Sequence, residues 1–180
     1  MGKPLRVLFV ENLEDDMQLS LHELRRHGYD PVYKRVETKE TLSAALEGEA
    51  WEVIISDYNM PKLSAPDALA LLKEKGLDLP FIVVSGTITE ERAVTVLKAG
   101  AHDFVAKERL TRLVPAIERE LREVVVRRER GDAQEELKEK VRELELLNRV
   151  MMDREERILE LKEEIKRLRT HIPIKKLEGA

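Results

Sequence analysis

Val53-Ile54-Ile55-Ser56-Asp57-Tyr58-Asn59-Met60-Pro61 is the stretch that decides the fold. Val53 to Ser56 carries no charge and no polar–apolar alternation, which is the pattern of a short strand buried on both faces. An acid follows at once, and Asn59 with Pro61 turns the chain away. The same design recurs on either side. Leu5 to Val10 is an apolar run ending at Glu11-Asn12, Phe81 to Val84 ends at Ser85-Gly86, and Asp103 to Ala106 ends at Lys107. Val32 to Val36 reads as a further strand. Between the strands, Leu19, Leu21 and Leu24 lie on a helical period that stops at Gly28. Lys39 to Glu47 reads as a helix, Ala68, Leu71 and Leu72 mark one that stops at Gly76, and Thr89 caps another that stops at Gly100. A last helix begins near Leu110. Five strands alternating with five helices predict an α/β fold, a doubly wound parallel sheet covered on both sides. In such sheets the groups that meet a ligand collect at the carboxyl ends of the strands.

Those ends carry Glu11, Asn12, Asp57, Ser85 and Lys107. Two neighbouring carboxylates suit a hard divalent cation such as Mg²⁺, which takes oxygen ligands. A hydroxyl and an ammonium opposite them are the groups that hold phosphoryl oxygens. An aspartate so placed is able to attack a phosphoryl group and form an acyl phosphate. Asn12 has a second reading as the N-cap of the following helix, with Asp15 and Asp16 in its first turn.

Over residues 5–128 the sequence resembles the receiver domain of two-component response regulators. The resemblance rests on Val10-Glu11-Asn12, Ser56-Asp57-Tyr58-Asn59-Met60-Pro61, Ser85-Gly86 and Asp103-Phe104-Val105-Ala106-Lys107, in order at four successive strand ends. It implies a flavodoxin-like sheet of order 2-1-3-4-5. It also implies that Asp57 accepts phosphate from a sensor histidine kinase or phosphotransfer protein. Glu11, Asn12, Asp57 and the backbone carbonyl of Asn59 would surround Mg²⁺. By the same carry-over Ser85 is the switch hydroxyl, Phe104 the aromatic that reorients with it, and Lys107 the partner of the phosphoryl group. The chain departs from the family pattern twice. Asn12 stands where a second acid is usual, and Glu108 follows Lys107 where a proline is usual, so an ordinary trans link is expected there. These departures define the alternative, a pseudo-receiver scaffold that binds a partner without phosphate chemistry. An aspartate-nucleophile phosphatase would need an acid at position 59, and a dinucleotide enzyme a glycine-rich turn after the first strand. Neither is present, so no enzyme acting on a separate substrate is expected.

Composition sets the outer limits. The chain has 180 residues, no cysteine and 42% hydrophobic residues, enough for one ordinary domain with an appendage and no disulfide framework. No apolar run approaches a membrane span, and no signal-peptide pattern precedes the first strand, so a cytoplasmic protein off the membrane is expected. A net charge of −4 leaves no basic footprint for nucleic acid. Residues 1–110 carry 14 Lys+Arg against 19 Asp+Glu and all seven aromatics; residues 111–180 carry 18 against 17 and none. The four histidines show no metal-ligand spacing, and His102 reads as a loop residue.

From Ala116 to Ile172 there is no proline and one glycine, in a stretch rich in Glu, Lys, Arg and Leu. Ile158, Leu161, Ile165, Leu168 and Ile172 recur at spacings of 3 and 4, a coiled-coil seam; Leu137, Val141 and Leu144 form an earlier one in a different frame. At ~1.5 Å per residue this helix would reach ~85 Å, too long to lie along one small domain. A receiver over 1–128, a dimerising coiled-coil helix over 129–172 with a hinge at Gly131-Asp132, and a flexible C-terminus over 173–180 are therefore expected.

Overall fold

The protein was analysed as a computed structural model that describes residues 2–86 and 89–171. The apolar runs form β1 (Lys3–Val10), β2 (Tyr29–Val36), β3 (Val53–Ser56), β4 (Phe81–Ser85) and β5 (Asp103–Ala106). All pairings are parallel, in the order β2-β1-β3-β4-β5. The helices are α1 (Glu14–Arg26), α2 (Lys39–Gly48), α3 (Ala65–Glu74), α4 (Glu90–Lys98) and α5 (Leu113–His171). This is the doubly wound, flavodoxin-like order that the sequence predicts. β1 and β2 start earlier than their apolar runs because edge pairing carries them back to Lys3 opposite Tyr29. α5 starts later than Leu110, since Lys107–Arg112 winds as a tighter 3-10 turn before the α-helix begins.

Strand periodicity sorts the core into two layers. Leu5, Val7 and Phe9 point to one side, where α1 and α5 supply Leu21, Leu24, Leu113 and Ile117. Leu8 and Val10 point to the other, against Leu42, Leu72 and Val96 of α2, α3 and α4. Each such side chain contributes about 1.5–3 kcal/mol on burial. The helices are set by their ends. Thr38 and Thr41 cap α2 reciprocally, and Ser64 accepts from the Asp67 N–H at 3.3 Å to start α3. Gly76 (φ 64°) and Gly100 (φ 110°) end α3 and α4 in a left-handed conformation that a side chain would strain. Asn12 is not the cap of α1. Leu13 holds that position without a side-chain bond, because the loop is closed instead by Glu11.

The chain divides into two units after Arg128. In the first, α5 buries Leu113, Ile117, Glu120 and Val124 at spacings of a helical face, and Arg127 binds Asp78 at 2.9 Å. In the second, every residue from Glu129 to Leu168 is helical and exposed, Gly131 included. No described helix is long and apolar enough to cross a membrane. The flexible C-terminus expected over 173–180 falls outside the described residues.

His102 lies in the connection before β5, a loop residue as the sequence reads it, and it is structural there. Its backbone N–H donates to Phe81 O at 2.9 Å, and its Nδ1 accepts from the Phe81 N–H at 3.1 Å, so it closes the entry to β4 and β5. Burial lowers its pKa, reinforced by Arg127 and opposed by Glu120 and Asp78. Protonation would put a second N–H against the Phe81 amide. A depressed folded-state pKa means stability that is present above the unfolded value of about 6.5 and lost as pH falls through the folded value. Urea midpoints are therefore expected to fall from pH 7.5 to pH 5 more in the wild-type chain than in His102→Asn, whose amide oxygen still accepts but does not titrate.

Candidate functional site

Strand register assembles the site. Val10 pairs with Ser56, and the Asp57 N–H donates to Val10 O at 2.9 Å, so Glu11 and Asp57 leave neighbouring strands side by side. Ser85 pairs with Ala106, which brings Ser85 and Lys107 out at the same edge. The Lys107 stem passes over Gly86, where a Cβ would lie 3.6 Å from Lys107 Cδ.

The Lys107 ammonium is the centre of this edge. Its Nζ lies 2.5 Å from Asp16 Oδ2, 3.4 Å from Asp57 Oδ2 and 3.6 Å from Glu11 Oε2. Three carboxylates thus share one cation. Their side chains are 7% (Glu11), 12% (Asp57) and 21% (Asp16) exposed, which limits screening by water. The second oxygens of Asp57 and Glu11 are tied to backbone. Asp57 Oδ1 accepts from the Tyr58 N–H at 2.6 Å, and Glu11 Oε1 accepts from the Leu13 N–H at 2.9 Å. Arg35 Nη1 donates to Asn12 O at 3.0 Å and Glu37 Oε1 at 2.6 Å, fixing the β1–α1 loop from outside.

Burial raises the pKa of Glu11, and the charges of Asp57 and Asp16 add to it; the Leu13 N–H and Lys107 oppose the rise. For Lys107, burial disfavours the charged form. The hydrogen bond to Asp16 and the charges of Glu11 and Asp57 outweigh it and hold the ammonium above the usual lysine range.

Among the residues that the sequence singled out, Glu11, Asp57 and Lys107 converge. Ser85 is buried at the same edge. Phe104 is half-buried against the α2–α4 side of the core. Asn59 is exposed, beyond the end of β3. Asn12 is held through its backbone carbonyl and borders a cleft with Glu37, Pro61 and Lys62. Asp16 was read only as a first-turn acid, yet it is the nearest partner of Lys107. The signal for it was a polar stripe, Asp16-Ser20-Glu23, at inward helical spacing; Ser20 and Glu23 are buried.

The donors suit a hard cation, being oxygens throughout. Among the described residues no three acidic or imidazole groups stand in a metal-ligating arrangement. The geometry gives the reason: the acids point at the Lys107 ammonium, so a metal has to draw Glu11 and Asp57 from it.

The sequence and the fold match one family. The response regulator receiver domain profile matches residues 7–118. The chain belongs to that family. Relatives include a chemotaxis protein CheY homolog of Campylobacter jejuni, 25% identical over 57% of this chain and 81% of that protein. The transcriptional regulatory protein PrrA of Mycobacterium tuberculosis is 31% identical over 57% of this chain and 43% of its own length. Among solved structures, the receiver domain of the Francisella response regulator 1452 superposes with a TM-score of 0.58. It is 21% identical and covers 67% of this chain and 98% of that one. The chain therefore has the receiver domain and the fold of a two-component response regulator. Among its described residues no peptide bond is cis, the link after Lys107 included.

Removing the shared cation should expose the cost of gathering three acids. Lys107→Met is expected to lower stability at pH 7 by about 2–4 kcal/mol, the scale for removing one partner of a buried ionic cluster. Glu11 has a raised folded-state pKa, so its protonated form favours the fold, and the deficit should shrink as pH falls through the carboxylate range. Urea unfolding at pH 7 and pH 5 measures both effects.

Proposed function

We propose that this receiver is a phosphoacceptor, phosphorylated on Asp57 with Mg²⁺ by a sensor histidine kinase or phosphotransfer protein, and that it signals as a homodimer formed by its C-terminal helix. The observation that carries the reading is Asp57 itself: one oxygen is tied to the Tyr58 N–H, and the other faces the half-buried Lys107 ammonium at 3.4 Å. That second oxygen is the nucleophile. An Oδ2–P bond forms as the P–N bond of the donor phosphohistidine breaks, and the electron pair leaves with the imidazole. Lys107 meets the charge on the transferred group, and Ser85 Oγ donates to another of its oxygens. Phe104 then follows Ser85 inward. Glu11, Asp57 and the Asn59 carbonyl would hold the Mg²⁺, with Asn12 contributing at most a neutral oxygen. The metal supplies positive charge to the phosphoryl oxygens. The pseudo-receiver alternative would leave the aspartate, hydroxyl and lysine at the sheet edge without use. Residues 1–128 form the receiver in this reading and 129–172 the dimerising tail, acting in the cytoplasm with neither membrane nor nucleic acid as partner.

The tail supports a second copy as its occupant. Ile158, Leu161, Ile165 and Leu168 are exposed by 41%, 45%, 52% and 60%, on a helix whose described side chains are all solvated over 129–168. An apolar stripe repeating at 3 and 4 is the surface that a parallel or antiparallel copy of itself would bury. Burial of each side chain contributes on the order of 1.5–3 kcal/mol before the entropy of association is subtracted.

Incubation with Mg²⁺ and a small-molecule acyl phosphate should add one phosphoryl group to the intact mass, and none to Asp57→Asn. A gain that survives Asp57→Asn would place the site elsewhere. Asn12→Asp should tighten Mg²⁺ binding several-fold in a calorimetric titration by adding an anionic ligand, on the order expected for one more carboxylate. Sedimentation at tens of micromolar should show a dimer for the full chain. It should show a monomer for the version ending near Arg130 and for the Leu161→Lys, Ile165→Lys double variant. A monomeric full chain would end the dimer proposal.

A further inference from the structure

The geometry points to Asp16 as a latch: in the unphosphorylated receiver it holds the Lys107 ammonium away from Asp57, and Lys107 passes from the Asp16 carboxylate to the phosphoryl group when Asp57 is loaded. This rests on the reading of Asp57 as phosphoacceptor. The distances carry it. Lys107 Nζ makes its short hydrogen bond to Asp16 Oδ2 at 2.5 Å, whereas Asp57 Oδ2 stands at 3.4 Å, outside the range of a strong charge-assisted bond.

The Asp57 carboxylate is held by backbone and Asp16 stands on an anchored helix, whereas the Lys107 stem is long and rotatable. Asp16 belongs to the first turn of α1, where the helix dipole favours an anion, and α1 is anchored on the sheet by Met17, Leu21 and Leu24. Asp57 is fixed by the Tyr58 N–H. Lys107 carries three rotatable donors on a four-carbon stem. A phosphoryl group on Asp57 brings about two negative charges to the side that Lys107 faces. The ammonium then moves, and Asp16 is left without it. Asp16 is thus a positioning residue. It stabilises the resting receiver relative to the loaded one, and so sets how readily the loaded state forms.

The latch differs in its consequences from simple repulsion between Asp16 and an incoming anion. Repulsion acts whether or not Lys107 is present; the latch acts only through Lys107. Asp15, on the same turn but exposed, serves as a control for charge alone.

The experiment is a titration of the full chain with beryllofluoride, a non-covalent mimic of the acyl phosphate, at saturating Mg²⁺, followed by ¹⁹F NMR of the bound fluorines. Asp16→Asn is expected to tighten binding on the order of tenfold, the effect of removing one charge-assisted hydrogen bond from the competing state. Asp15→Asn should leave the affinity unchanged, and the effect of Asp16→Asn should vanish in a Lys107→Met background. An equal gain in both backgrounds would mean general repulsion and overturn the latch. Weaker binding in Asp16→Asn would make Asp16 a direct ligand and overturn it as well. Wild-type binding with no change in Asp16→Asn would overturn the latch alone. If the wild-type chain gives no bound signal, the phosphoacceptor reading falls and takes the latch with it.

Discussion

One ammonium among three carboxylates organises the business end of this receiver. Lys107 follows β5, Asp57 follows β3, Glu11 follows β1 and Asp16 lies on α1, so four separate parts of the chain meet at a single charge. Gathering three acids in a partly desolvated edge is unfavourable by itself, and the lysine is what makes it tolerable. The upward shifts of both Glu11 and Lys107 express the same arrangement. Burial and neighbouring acids push the Glu11 carboxyl up, while those acids hold the lysine proton in place against burial.

The remainder of the domain serves to hold that meeting point still. The sheet fixes the strand ends through its register, and the two apolar layers fix the sheet. The loops at the edge are tied by short local bonds: the Glu11 carboxylate to the Leu13 N–H, the Asp57 carboxylate to the Tyr58 N–H, and Arg35 to the carbonyl of Asn12. At the opposite end His102 bridges β4 and β5, and Arg127 on α5 binds Asp78 before β4. The helix that leaves the domain is thereby anchored at the far end from the acids.

Much of this was legible in the sequence because buried parallel strands leave a plain trace. Runs such as Val53–Ser56 and Phe81–Val84 have no polar face, and the residue after each, Asp57 or Ser85, is where chemistry is possible. Local order was enough to find Glu11, Asp57, Ser85 and Lys107. It was not enough for Asp16, whose role depends on how α1 lies against the turn after β5, a long-range packing that periodicity does not encode. The capping of α1 was misjudged for a related reason. Asn12 has the right chemistry for a cap, but the Glu11 side chain reaches the Leu13 N–H first, and Leu13 takes the cap position. His102 carried no motif at all, because its function is to satisfy one backbone amide across a strand gap.

Lys107 is the resident counter-cation of the acidic edge, and a divalent cation bound there would have to compete with it. Calorimetric titration of Mg²⁺ into the wild-type chain and into Lys107→Met, with the fold of each checked by circular dichroism, tests this directly. The account predicts tighter Mg²⁺ binding in Lys107→Met, because Glu11 and Asp57 no longer have to leave an ammonium and no cation repels the metal. Equal or weaker binding in Lys107→Met would contradict it.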